Sequence, residues 1–145
     1  LGEDPASGVP NVIETVRRQL GNGADFIKIY ADYRWTPGAD SQPTFLQDEI
    51  DAMVSTATSA GKYVVAHAST PEGMRRAING GVETIEHGDG GTLELFTLMK
   101  EKGIGFCPTL AAGDAITQYR GWKKGIDPEP ERITKKKASF KLALV

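Results

Sequence analysis

Apolar residues along this chain follow two spacings that alternate. In residues 9–20 they recur at Val12, Val16 and Leu20, which predicts an amphipathic helix. The same spacing, together with helix-start signals, predicts further helices over 47–60, 71–79, 92–102 and 130–145.

Short runs rich in Val, Ile, Tyr and Phe lie between the predicted helices, and this composition is typical of β-strands. A glycine precedes each run. Glycine readily adopts the left-handed backbone conformation that is common directly after the end of a helix. The four runs are "GADFIKIY" at 23–30, "GKYVVAHA" at 61–68, "GGVETIEHG" at 80–88 and "KGIGFCPTL" at 102–110.

Strict alternation of helices and strands predicts an α/β fold with a parallel sheet and right-handed crossovers. The last three strands begin about twenty residues apart, a short repeat that favours a (β/α) barrel over an open sheet. Two long connections, 32–46 and 110–130, each follow a strand. We therefore expect both at the C-terminal face, where such folds carry their functional sites.

Composition excludes several functional classes. The net charge of −2 argues against a nucleic-acid-binding protein, and the basic run at 135–137 is interpreted as a solvated helix face. No apolar run approaches the ~20 residues of a membrane span. A single cysteine and the polar opening "LGEDPASG" predict a reducing, cytoplasmic location without a signal peptide. The first residue is Leu rather than Met, so we expect a piece of a longer protein.

The candidate chemistry lies at the strand ends. His67 and His87 are the only histidines, and each is predicted at the C-terminal end of a strand. Because neighbouring parallel strands lie about 4.8 Å apart, two imidazoles at equivalent ends can bind one metal ion. Glu86 should then point elsewhere, towards the helix layer or a supporting partner. Alternatively, each histidine is a hydrogen-bonded polar cap of its strand.

Lys28 is the third candidate, and it lies within the first predicted strand between apolar neighbours. A strand lysine is commonly an edge residue whose amine reaches solvent. Burial and nearby cations would instead lower its pKa and make the neutral amine a nucleophile.

The segments "GADFIKIYA", "VVAHA", "GMRRAINGGVETIEHG" and "GIGFCPTL" together resemble the metal-dependent amidohydrolase superfamily, most closely its imidazolonepropionase-like and prolidase-type branch. The resemblance implies a TIM barrel with one or two divalent metal ions, most commonly zinc. It implies that Lys28 is carboxylated by carbon dioxide and that the carbamate binds metal with His67 and His87. It also implies that a metal-activated hydroxide attacks an amide carbonyl, with a dipeptide or cyclic amide as the small-molecule substrate.

The resemblance further implies that residues 1–145 form part of a catalytic barrel domain, covering strands four to seven of a barrel of ~250 residues. The family's strand-one His-x-His pair and strand-eight aspartate are not found in this sequence. Ser69 stands where many relatives have an aromatic residue or histidine. We therefore expect the rest of the barrel, or a homo-oligomer partner, to complete the site, and we expect the isolated chain to be incomplete for catalysis.

Two other interpretations stay open. A non-metal lyase or isomerase of barrel fold would use Lys28 as an amine nucleophile, and a non-enzymatic α/β domain would carry incidental histidines. For substrate binding the candidates are Tyr30, next to the strand lysine, and Arg34, which can pair with a carboxylate. The same loop residues also fit an ordinary surface loop with a packed aromatic.

Overall fold

The computed structural model describes residues 6–145. Its elements are α1 (Val9–Gly21), β1 (Ile27–Tyr30), β2 (Asp32–Arg34), β3 (Ser41–Pro43), α2 (Gln47–Ser59), β4 (Val64–Ala68), α3 (Pro71–Gly80), β5 (Thr84–His87), α4 (Leu93–Lys102), β6 (Gly105–Cys107), α5 (Leu110–Tyr119) and α6 (Glu131–Leu142). Within this range, no helix has both the length and the apolar character needed to cross a membrane.

The main sheet has four strands in the order β1-β4-β5-β6, and every neighbouring pair is parallel. Each strand of this sheet lies beside the next one in sequence, and a helix connects each pair. This confirms the predicted parallel α/β fold. It is the arrangement expected of consecutive βα units in a TIM barrel.

One face of the sheet packs against the helices and forms the core. Successive side chains along each strand point to opposite faces of the sheet, so every second strand residue belongs to this face. The buried strand residues of this face are Ile27, Ile29, Val64, Ala66, Ala68 and Ile85. They pack with apolar residues of α1 to α4, including Val12, Ile50, Met74 and Leu95.

The opposite face, called here the open face, carries the polar strand residues. The register pairs Tyr30 with His67, His67 with Glu86, and Glu86 with Cys107. Lys28 lies two residues before Tyr30 and therefore shares this face. The face that would line the inside of a closed barrel thus holds the ionisable residues.

Local sequence signals explain the helix ends around β4 and β5. Thr70 caps α3, because its hydroxyl accepts a hydrogen bond from the Gly73 N–H at 3.0 Å, and Pro71 occupies the first helical position. Gly81 ends α3 in the left-handed conformation with φ 80°, which glycine adopts without steric cost.

Both long connections contain secondary structure that the sequence analysis did not predict. Residues 32–34 and 41–43 pair as an antiparallel hairpin outside the main sheet, and the loop between them turns at Gly38 with φ 81°. Residues 110–119 form α5, which packs against α6. The strands of the hairpin are too short to show an alternating pattern, and α5 buries only Gly113, so neither element has a clear apolar period.

Candidate active site

The two histidines lie together at the C-terminal end of the sheet. Their ring centroids are 4.6 Å apart, and both side chains are partly buried. His67 is in β4 and His87 is the last residue of the adjacent strand β5. The predicted convergence of the two imidazoles is therefore present.

The two histidines are not at equivalent positions, which corrects the expectation from the sequence. His67 is in register with Glu86, whereas His87 is in register with Ala68, which lies in the helix-facing core. Strand alternation alone would place His87 on the helix side. His87 has φ 74°, a left-handed backbone that ends the alternation, and its ring contacts His67.

Asp32 holds one side of His67. The carboxylate is fully buried, and its Oδ1 lies 3.4 Å from Nε2 of His67. Burial opposes ionisation of Asp32, but hydrogen bonds from His67, Thr70 and Ser69 outweigh it and hold the pKa of the carboxyl below its usual value. Nδ1 of His67 has no hydrogen-bond partner among residues 6–145.

Thr109 holds His87 in a similar way. Its hydroxyl oxygen lies 2.7 Å from Nδ1 of His87, which leaves Nε2 of that ring without a protein partner in the described chain. Burial lowers the pKa of His87 to about 4, and electrostatic interactions with His67 and Lys136 lower it further. The His87 imidazole is thus neutral at pH 7, which is the form that binds metals.

Lys28 forms an ion pair with Glu86 across the open face. Of the two alternatives expected for Glu86, the helix layer is wrong, because the register places it on the same face as His67, whereas its pairing with Lys28 agrees with the supporting partner. Burial lowers the pKa of the Lys28 amine, with a smaller opposing effect from Cys107. The ion pair itself favours the ammonium form, so carboxylation of Lys28 would require Glu86 to move away.

The two predicted substrate-binding residues differ in their placement. Tyr30 lies beside the histidines, with its ring centroid 4.9 Å from that of His67. Tyr33, on the β2–β3 hairpin, packs edge-on against Tyr30 at 5.5 Å. Arg34 is exposed on the same strand and contacts neither histidine in the described part of the chain. The structure thus places Tyr30, but not Arg34, against the site.

The donor set fits part of a metal site. His67 and His87 each have one ring nitrogen near a protein oxygen and the other without a partner, as zinc-binding imidazoles do. Lys28 lies on the same face and would be a third ligand as a carbamate. Among residues 6–145 no group of three or more His, Cys, Asp or Glu side chains could hold a metal ion. The described residues thus fit a metal as part of its ligand set.

Two residues of this site were missed by the sequence analysis. Asp32 begins a long polar connection and Thr109 follows a proline, so neither has a local signal that connects it to a histidine. Their sequence separations from His67 and His87 are 35 and 22 residues. The residue type of Asp32 was the one available signal, because a metal-binding histidine commonly donates its second ring N–H to a carboxylate.

Comparison with known proteins identifies the family. The model of the amidohydrolase family matches residues 3–118. The ochratoxinase of Aspergillus niger is 35% identical over 107 residues, which are 72% of this chain and 22% of the ochratoxinase. The chain spans about a quarter of the length of the curated relatives it matches.

Two solved structures show the same arrangement of elements. A Xaa-Pro dipeptidase with bound methionine in its active site is 37% identical with a TM-score of 0.70, and the match covers 95% of this chain and 35% of the dipeptidase. A prolidase complexed with N-methylphosphonate-L-proline is 34% identical with a TM-score of 0.73, covering 95% of this chain and 34% of the prolidase.

Proposed function

Because the chain belongs to the amidohydrolase family, we propose that it carries the central part of a metal-dependent active site that hydrolyses amide bonds. The observation that carries this proposal is the pair of facing imidazoles, each with one ring nitrogen left without a protein partner. Asp32 and Thr109 occupy the other ring nitrogens, so the two nitrogens without a protein partner in the described chain are available to a ligand.

The proposed ligands are His67, His87 and Lys28, the last as a carbamate formed with carbon dioxide. Zinc is the proposed metal because imidazole nitrogen and carbamate oxygen suit its coordination preferences. When bound, the metal would supply Lewis-acid activation of water and of the substrate carbonyl. The open face supports this assignment, because Lys28 lies on it two residues before Tyr30, the register partner of His67.

The proposed substrate is a dipeptide or a cyclic amide. The similarity to a Xaa-Pro dipeptidase and to a prolidase supports this class. Tyr30 is proposed to contact the substrate, because its ring lies next to His67 and is partly exposed. Arg34 is retained as a proposed partner for a substrate carboxylate, although it would have to approach the site from its exposed position.

Catalysis is proposed to need further polypeptide. The chain spans about a third of the solved structures it matches, and it supplies at most part of the metal ligands. The remainder of a barrel, or a second subunit, would supply the other ligands and cover the edge strands β1 and β6. A cytoplasmic location stays a prediction from the sequence.

Metal content tests the proposal directly. We expect the chain expressed with zinc and bicarbonate to contain zinc by mass spectrometry, and the His67→Ala, His87→Ala double variant to lose it. Lys28→Ala should reduce zinc and remove its dependence on bicarbonate. The matched control is Lys100→Ala, an exposed lysine of α4, which should retain zinc.

The contrary result is equal metal content in the wild type and the double variant. A borohydride-trapped adduct on Lys28 would then favour the lyase or isomerase interpretation. Where zinc binds as expected, hydrolysis of an Xaa-Pro dipeptide is measured after the polypeptide that completes the barrel is supplied.

A further inference from the structure

Asp32 has two oxygens with different surroundings. It is the first residue of β2, it follows β1 by two residues, and no part of it reaches solvent. Oδ2 accepts hydrogen bonds from the Ser69 N–H at 2.8 Å, the Thr70 N–H at 2.7 Å and the Thr70 hydroxyl at 2.9 Å. This oxygen therefore satisfies the backbone donors at the start of α3.

The other oxygen faces His67. Oδ1 lies 3.4 Å from Nε2 of His67 and 3.0 Å from the Ser69 N–H. Since Oδ2 already accepts the Ser69 N–H at the shorter distance, the His67 ring is the group that depends on Oδ1. A carboxylate has no proton to donate, so the nitrogen facing it must carry the hydrogen.

We propose that Asp32 is the positioning residue that fixes the tautomer and orientation of His67, keeping the proton on Nε2 and the lone pair on Nδ1. Nδ1 is the ring nitrogen that lacks a partner in residues 6–145, and it is the one left to bind a metal ion. The metal-binding consequence rests on the proposed function, whereas the tautomer does not depend on it.

A purely structural role for Asp32 would be to cap α3 through Oδ2. Asp32→Asn distinguishes capping of α3 from control of the His67 tautomer. The asparagine amide has one oxygen, which can accept hydrogen bonds, and one NH₂ group, which can only donate them. The three bonds at Oδ2 require the oxygen there, so the NH₂ group must occupy the Oδ1 position. That group donates to Nε2 of His67 and forces the proton onto Nδ1.

The test is the tautomer of His67 in the metal-free chain, read by long-range nitrogen–proton NMR of ¹⁵N-labelled protein. The two histidines are assigned with His87→Ala. We expect a protonated Nε2 in the wild type and a protonated Nδ1 in Asp32→Asn. The matched control is Thr70→Ala, which removes the hydroxyl bonds to Asp32 and Gly73 and lowers the unfolding midpoint. It should leave the tautomer unchanged.

Zinc affinity is the second readout, measured by competition with a chelating dye. We expect Asp32→Asn to weaken zinc binding by about 10–100-fold, the usual loss when a supporting carboxylate is removed. Thr70→Ala should weaken it far less. If the wild type binds no zinc but the tautomer still switches, the proposed function fails and the role of Asp32 stands. An unchanged tautomer in a folded Asp32→Asn variant overturns the inference.

Discussion

Gly73 is the position where an ordinary stabilising substitution should destabilise this protein. It lies in the first turn of α3, and a Cβ added there would be 2.9 Å from Cβ and Cγ of Asp32 and closer still to Oδ2. Replacing a helical glycine by alanine normally gains about 1 kcal/mol. Here the methyl group would displace a fully buried carboxylate from its donors.

The expected cost follows from the contacts of Asp32. Hydrogen bonds to a charged group contribute roughly 1.5–3 kcal/mol each. Loss of two of the three bonds at Oδ2 therefore costs about 3–6 kcal/mol, and subtracting the helical gain leaves a net loss of roughly 2–5 kcal/mol. The rigid Cβ and Cγ atoms of Asp32 are among the close contacts, so a simple rotation of the carboxylate does not remove the clash.

Urea unfolding followed by circular dichroism measures this effect for Gly73→Ala beside Gly21→Ala. Gly21 ends α1, and an added Cβ there meets no atom within 4 Å. We expect Gly21→Ala to unfold at the same or a higher urea concentration than the wild type. If Gly73→Ala also unfolds at or above the wild-type concentration, the close approach of α3 to Asp32 is refuted.

Two further predictions concern α6 and the core. Lys136 of α6 is buried and pairs with Asp89 in the loop after β5. Lys136→Ala should destabilise folding by roughly 1–3 kcal/mol, below the full cost of breaking a buried pair because Asp89 is partly exposed. Lys137→Ala breaks the exposed pair with Glu129 and should leave the urea midpoint unchanged. Equal effects of the Lys136 and Lys137 variants would contradict the packing of α6 against this loop. Ile85→Ala should cost about 2–5 kcal/mol in thermal or urea unfolding, since Ile85 is fully buried in β5. Exposed Ile126→Ala should stay within about 0.5 kcal/mol, and a similar loss at both positions would count against the core as described.

The main elements could be predicted from the sequence because their signals are local. The four strand runs of the main sheet and the five predicted helices are all present, with ends that differ by a few residues. The connections at 32–46 and 110–130 could not be predicted in the same way. Their elements are short or expose most of their residues, and so lack an apolar period.

The sequence by itself determined the α/β order, the parallel sheet and the likeness to amidohydrolases, since these depend on periodicity and on motifs within single segments. The sequence also predicted that His67 and His87 converge, but the tertiary structure alone decided how their rings reach each other and which other side chains contact them. Pairing of β4 with β5 placed Glu86, not His87, beside His67, and the left-handed backbone of His87 brought its ring back to the open face. The Lys28–Glu86 pair joins residues 58 positions apart. Strand register and backbone turns depend on contacts between segments that are distant in the sequence. The residue pattern within one segment therefore does not predict them.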